Sequence, residues 1–547
     1  MALTRAERCV VLLLRCLSRA FLAVLSLAAR ASSFASRKAV PAASSSGAPR
    51  KALRAVPPPD QPLLLLSALE LARRIRRREV KCIDVIETYI ERIKQVNPLI
   101  NAVVKDRFEA ALQEAEQVDK LLSEGHDDEE ALQEKFPFLG VPITIKEAFA
   151  LHGLPNTSGL VARRNLISMS DATVVSRLKQ AGTIPLGVTN CSELCMWFES
   201  SNYVYGRSNN AYDLACMVGG SSGGEGCILA AAGSVIGVGS DIGGSIRMPA
   251  FFNGVFGHKP TAGVVPNDGQ FPNAIGIRTN YLCTGPMCRY AEDLDPMLRV
   301  MAGPNIAKLK LDEKVSLENL KFYSMEHDGG SVFVSRMDKE LLQAHRKVVK
   351  HLETELGIQV QNAAIRKMKY SFQIWSVMMT SKDSDVQANQ TFTDMLGDHG
   401  KPVWPSWELL KWMMGKSSHT IPAIGLGLAE RFMNYNPKAA TKVASMAQSL
   451  QTEMVNLLGN DGILLYPSHP MVAPKHHAPL GMPFNFAYTA IFNILGLPVT
   501  QCPLGLSEEG LPLGIQVVAG PHNDHLTLAM ARYLEKAFGG WVPPGTS

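Results

Sequence analysis

The ten cysteines of this 547-residue chain are spread singly. The closest two, Cys191 and Cys195, have three residues between them and no second pair or histidine cluster at the spacing of a zinc site. A zinc-organised fold is therefore excluded, and the cysteines are expected as buried, reduced thiols in a non-oxidising compartment. Basic charge is missing from most of the chain as well. The net charge is +5, but ten of the 55 basic residues and only one of the 50 acidic residues fall within residues 1–59. The body beyond is slightly acidic, which excludes a nucleic-acid binder. The Gly-rich stretch at 219–226 lacks the Gly-Lys-Ser or Gly-Lys-Thr of a phosphate-binding loop, and Glu225 within it would repel an anion.

What is present begins with an N-terminal apolar stretch, Cys9 to Ala29, of about bilayer length but interrupted by Arg15 and Arg19. It reads as a membrane anchor over residues 1–30; a cleaved secretory signal ending near Ala29-Arg30-Ala31 and an Arg- and Ser-rich mitochondrial presequence compete. Residues 31–62 carry Ala42-Ala43-Ser44-Ser45-Ser46-Gly47 and Pro57-Pro58-Pro59 and are expected as a flexible linker. Residues 63–547, in a chain that is 46% hydrophobic, can bury a large core. Ser67 with Glu70 predicts a capping box before a helix carrying Leu69, Ala72 and Ile75. A second helix is predicted from about Ile83 to Val96, with Asn97-Pro98 ending it. The run Arg73, Arg74, Arg76, Arg77, Arg78 reads as a solvated face or as a contact for anionic headgroups.

Chemistry gathers in three segments. Gly140-Val141-Pro142-Ile143-Thr144-Ile145-Lys146-Glu147 reads as a short strand presenting Lys146 at its end. To serve as a base that lysine must be neutral, which burial among Val141, Ile143, Ile145 and Phe149 would promote. Gly219-Gly220-Ser221-Ser222-Gly223-Gly224-Glu225-Gly226 removes side chains so that backbone and hydroxyls approach closely, and leads into a small-residue helix from Cys227 to Ala232. It also satisfies Gly-x-Ser-x-Gly, which raises an α/β-hydrolase with Ser221 as nucleophile, although Ala215 to Val218 is a poor strand to precede it. Val235 to Pro249 reads as an apolar strand running into a turn at Gly243-Gly244, where the amides of Ile242, Gly243, Gly244 and Ser245 are candidates to hold a developing oxyanion. A tight structural turn with an inert serine is the plainer alternative.

Together these segments resemble the amidase signature family. Gly219 to Pro249 follows its Gly/Ser-rich signature, Lys146 lies at the expected upstream position, and similarity runs from about Ser67 to Leu534, including Asn493-Ile494-Leu495-Gly496-Leu497-Pro498 and Gly510-Leu511-Pro512-Leu513-Gly514-Ile515-Gln516. The resemblance implies an α/β fold in one catalytic domain, a large mixed central sheet covered by helices on both faces. It implies Ser245 as nucleophile, Ser221 as bridging serine and Lys146 as base, with no cofactor and no metal.

Asn190-Cys191-Ser192-Glu193-Leu194-Cys195-Met196-Trp197 and Tyr466-Pro467-Ser468-His469-Pro470 look like the family's fatty-acid amide hydrolases. That likeness implies N-acylethanolamines and primary fatty amides as substrates, places Cys195 in a substrate-contacting segment, and implies a lipid or intracellular membrane surface as partner, a lipid droplet included. It leaves a homo-oligomer open. Trp375, Met378, Met379, Trp404, Trp407, Trp412, Met413, Met414 and Phe432 would line an acyl channel, face a membrane, or fill ordinary core. Three other readings stand beside the lipid amidase: an α/β-hydrolase-type esterase using Ser221 and a C-terminal histidine, a non-catalytic membrane-tethered lipid-binding protein, and a glutaminase-type subunit of a transamidating complex.

Overall fold

The computed structural model describes residues 54–125, 128–381, 390–398, 401–432 and 437–546. The expected anchor, and the linker as far as residue 53, lie outside these. The end of the expected linker belongs to the body instead. Val56 is buried and its N–H reaches the Ala211 carbonyl, while the carbonyls of Pro57 and Pro58 accept from Arg92. Proline cannot donate to a ladder but its carbonyl still accepts, so a buried guanidinium fixes the run.

In chain order the strands are β1 (Val103–Asp106), β2 (Pro142–Lys146), β3 (Ile184–Thr189), β4 (Ser201–Asn202), β5 (Gly206–Arg207), β6 (Ile236–Asp241), β7 (Phe256–Lys259), β8 (Cys283–Cys288), β9 (Lys321–Ser324), β10 (Val360–Asn362), β11 (Gly462–Tyr466), β12 (Val499–Leu506) and β13 (Pro512–Ala519). β4 and β5 form a small hairpin; the other eleven form one mixed sheet in the order β1-β3-β2-β6-β8-β7-β12-β13-β11-β9-β10. Helices flank this sheet, so β2, β3 and β6 are buried at every position, as strands covered on both faces must be. β2 pairs in parallel with β3 and β6, with Ile145 opposite Val238, which brings the carboxyl ends of β2 and β6 side by side. Ligands of open α/β sheets bind outside such ends.

Two local expectations change. Ser67 does cap the helix Ala68–Arg76, accepting from Glu70 N–H at 3.2 Å, but the carboxylate of Glu70 does not complete the box: it takes Arg73 and Arg74 at 2.7 and 2.6 Å. The next helix runs from Cys82 through Pro98 to Ile100. Asn97 carries it past the proline, its Oδ1 accepting from the N–H groups of Ala102 and Val103 at 2.8 Å, and the helix stops only where Asn101 turns left-handed at φ 48°. The arginine run keeps its solvated face: Arg77 and Arg78 are exposed, pairing with Glu129 and donating to the Leu122 carbonyl, and only Arg76 is buried, against the Pro137 carbonyl.

Candidate active site

β2 ends at Lys146, which is fully buried. Its Nζ lies 2.7 Å from Ser221 Oγ and 2.9 Å from Ser240 Oγ, and among the described residues no carboxylate pairs with it. Ser221 stands just ahead of the helix Gly223–Ala230, whose glycines admit neighbouring chain; the Gly224 N–H donates to the Asn190 carbonyl at 3.0 Å. Ser240 was not foreseen. It follows from the β2–β6 register, which a strand pattern alone does not reveal.

Beneath this group Glu225 is buried over Gly237, where any Cβ would fall 1.9 Å from its Oε2. Burial pushes the carboxyl up to about 8, against the hydroxyls of Thr189 and Thr144 that donate to it at 2.7 and 2.8 Å. At neutral pH it is mostly protonated, and its place in the sequence is explained by packing rather than by repulsion of an anion.

Beyond β6 the chain turns through Ile242, Gly243 and Gly244 to Ser245. Gly244 has φ +115°, and a Cβ there would meet Thr489 Oγ1 at 1.9 Å, so only glycine fits. Asp241 organises the turn: its Oδ1 accepts from Gly244 N–H at 2.7 Å and its Oδ2 from Ile246 N–H at 3.0 Å. Gly244 therefore leaves the expected oxyanion set, its amide already spent on a carboxylate. The amides of Ile242, Gly243 and Ser245 have no acceptor among the described residues.

Asp241 is itself clamped by Arg247, which is fully buried and also reaches the Thr489 carbonyl, Gln516 Oε1 and Asn493 Oδ1, each at 2.8 Å. Burial pushes the Asp241 carboxyl up, but the charge and hydrogen bonds of Arg247 outweigh it and hold the group well below the usual carboxylate range. The two serines are tied through backbone, Ser222 N–H to the Ser245 carbonyl at 3.1 Å, with no direct hydrogen bond between the Ser221 and Ser245 hydroxyls.

Ser221, Ser240, Ser245, Ile242 and Cys195 line one cavity of about 1060 Å³, walled by Trp375, Met379, Phe392 and Leu426. Trp375 Nε1–H donates to the Ile242 carbonyl at 2.9 Å, fixing the wall to the turn. The Trp- and Met-rich region thus divides: Trp375 and Met379 face the cavity, while Trp404, Trp407, Met413 and Met414 are exposed. The side chain of Phe432 lies outside the described residues.

The α/β-hydrolase alternative loses its footing. No strand precedes Gly219, only a single bridge from Cys216 to Lys475, and no histidine lines the cavity among the described residues. His469 is buried among Phe198 and Phe252 and His476 pairs with Glu199.

A sequence model of the Amidase family matches residues 84–528. The chain belongs to that family. Human fatty-acid amide hydrolase 2 is 65% identical to this amidase over 488 residues, 89% of this chain and 92% of the human protein. Fatty-acid amide hydrolase 2-A of Danio rerio is 60% identical over 490 residues, 90% of this chain and 92% of the fish protein. A solved fatty acid amide hydrolase, 22% identical, superposes with a TM-score of 0.69, covering 88% of this chain and 86% of its own, and shows the shared amidase signature fold.

Proposed function

We propose that this amidase hydrolyses fatty-acid amides, N-acylethanolamines and primary fatty amides among them, to the free acid and an amine or ammonia. The observation that carries the reading is the Lys146–Ser221 contact of 2.7 Å, sealed from solvent at the floor of an apolar cavity that also holds Ser245. The names of the relatives at 65% and 60% identity support the acyl class.

In this scheme Lys146 works as the neutral amine. It takes the proton of Ser221 as Ser221 takes that of Ser245, and Ser245 Oγ attacks the amide carbon. The amides of Ile242, Gly243 and Ser245 receive the oxyanion; being fixed by Asp241 and Thr489, they need no reorganisation as charge develops. The proton then returns along the same path to the leaving nitrogen, which departs poorly unless protonated. Water releases the acyl group from Ser245. The Ser221–Ser245 link closes when substrate fills the cavity, catalytic hydrogen bonds often being incomplete in the unliganded state.

The same reading places the enzyme on a lipid surface. Trp404, Trp407, Leu410, Met413 and Met414, 47–64% exposed on and beside the helix Pro405–Met413, present an apolar face of the kind that marks membrane contact. Residues 1–30 would add an anchor on an intracellular membrane or lipid droplet.

Labelling with a fluorophosphonate tests the chemistry. An adduct on Ser245 with turnover of long-chain N-acyl amides is expected; an adduct on Ser221, or tight acyl-amide binding without turnover, would reject it.

A further inference from the structure

Among the described residues every cysteine is buried except Cys195, which is partly exposed and lines the cavity beside Ser221 and Ser245. The backbone puts it there. Leu194 and Cys195 are both left-handed, at φ 52° and 56°, a conformation that costs energy in residues with a Cβ and turns the side chain out of the local run. The turn is held from both sides: Leu194 N–H on the Ser158 carbonyl and Cys195 N–H on the Ser192 carbonyl, each at 2.8 Å, and the Glu193 carboxylate on His419 and on the Thr420 N–H.

Behind it, Cys191 is fully buried, its carbonyl accepting from Asn202 at 2.8 Å. The sulfur of Cys195 is surrounded by the Cys191 thiol, the Lys146 amine and the hydroxyls of Ser221 and Ser158. Contact with the Cys191 thiol, the foremost of these, holds the Cys195 thiol below the ordinary cysteine range, while that same contact and burial push Cys191 up. The two shifts are opposite in sign, so Cys195 is the readier of the pair to lose its proton. A cavity-facing cysteine with a second thiol behind it is the arrangement of a reversible redox sensor.

We propose that Cys195 and Cys191 form a hydroperoxide-sensitive pair that switches off the amidase. The Cys195 thiolate attacks the terminal oxygen of a hydroperoxide; the O–O bond breaks, Cys195 becomes a sulfenic acid, and the other oxygen takes up a proton and leaves as water or, from a lipid hydroperoxide, as an alcohol. The Cys191 thiol then attacks the Cys195 sulfur and gives up its proton, an S–S bond forms, and the hydroxyl leaves as water. Two thiols lose two electrons and the peroxide gains them. Drawing Cys195 back onto Cys191 deforms the turn beside Ser221 and Lys146, and a dithiol reductant reverses the change. The apolar cavity favours a fatty-acid hydroperoxide over hydrogen peroxide as the oxidant.

The test exposes the purified full-length enzyme at neutral pH to hydrogen peroxide or to a fatty-acid hydroperoxide, alkylates it, and maps peptides without reduction. The peptide from Gln180 to Arg207 carries both cysteines. The expected result is that this peptide loses two hydrogens in step with amidase activity, faster with the lipid oxidant, and that dithiothreitol restores both. Relative to its own untreated rate, Cys195→Ser resists the oxidant, and Cys191→Ser accumulates a sulfenic acid on Cys195 that dimedone traps. Activity falling while Cys191 and Cys195 stay reduced, or Cys195→Ser inactivated as fast as the parent, overturns the proposal. Equal rates with the two oxidants would assign the switch to hydrogen peroxide. The peptide masses read the bond whatever amide the enzyme turns over, so failure here and failure of the substrate assignment are distinguishable.

Discussion

The floor of the cavity and the helix Pro405–Met413 break the ordinary rule of burial in opposite directions. At the floor Lys146, Glu225, Asp241 and Arg247 are all at 0% exposure, where charged side chains are rare. On the helix Trp404, Trp407, Met413 and Met414 are exposed, where large apolar groups are unusual in a cluster. The difference teaches where each region's interactions are completed. The floor completes them internally, carboxylate to guanidinium and amine to hydroxyl, so it is set before substrate arrives. The helix leaves its apolar face incomplete, and the cluster of Leu160, Leu194, Phe392, Leu396 and Ala423 fastens the surrounding segment to the body.

Substitutions at the floor sharpen this contrast most. Ser245→Ala should lower turnover by more than about a thousandfold and abolish fluorophosphonate labelling; a smaller loss in steady-state rate would dissolve the floor's claim to the chemistry. Lys146→Ala should harm amides more than matched esters, since only the amide needs its leaving nitrogen protonated. Equal losses in a side-by-side kcat comparison would contradict that.

Next in size is Arg247→Ala. It leaves Asp241 buried without its partner, and breaking a buried pair on one side costs about 3–5 kcal/mol. Denaturant unfolding measures this, and a change under about 1 kcal/mol would mean the clamp is dispensable.

A smaller effect belongs to Glu225. Its carboxyl sits at about 8 in the folded protein against an ordinary 4.5. Between those values the unfolded chain has lost a proton that the folded one keeps, so this group's share of stability falls as pH rises from 4.5 to 8 and levels off above. Asp293 and Glu535, both raised to about 7 by burial, act in the same direction over a narrower window. Glu225→Gln should flatten the decline in Tm with pH; an unchanged slope would show that the residue is ionised in the fold.

The least change in folding is expected from Trp404→Ser with Trp407→Ser, about 1 kcal/mol, because more than half of each residue is exposed. Co-sedimentation with anionic vesicles should weaken nonetheless. Undiminished vesicle binding would detach the apolar helix from any lipid role.

How much of this was readable beforehand depends on range. Ser67 as a cap, the strand ending at Lys146 and the turn at Gly243-Gly244 are written in neighbouring residues, where propensity and turn chemistry act. The helix running through Pro98 was not, because Asn97 bonding to Ala102 and Val103 outweighs a proline signal read in isolation. Nor was the loss of Gly244 from the oxyanion set, since glycine spacing does not say which way an amide points. Ser240 beside Lys146 required the register of β2 on β6, and the partners of Arg247 other than Asp241 lie 242 to 269 residues away in sequence. Long-range pairings of this kind leave no local pattern.

That distance has a bearing on when the enzyme becomes an enzyme. During synthesis Lys146, Ser221 and Ser245 emerge from the ribosome together with Arg247, yet Thr489, Asn493 and Gln516, which seat the guanidinium, are still unmade. The nucleophile turn has Asp241 and Arg247 beside it from the start, but the groups that seat the guanidinium come only when nearly the whole polypeptide is out. A nascent chain carrying every reactive side chain still lacks the C-terminal groups that complete the site's bracing.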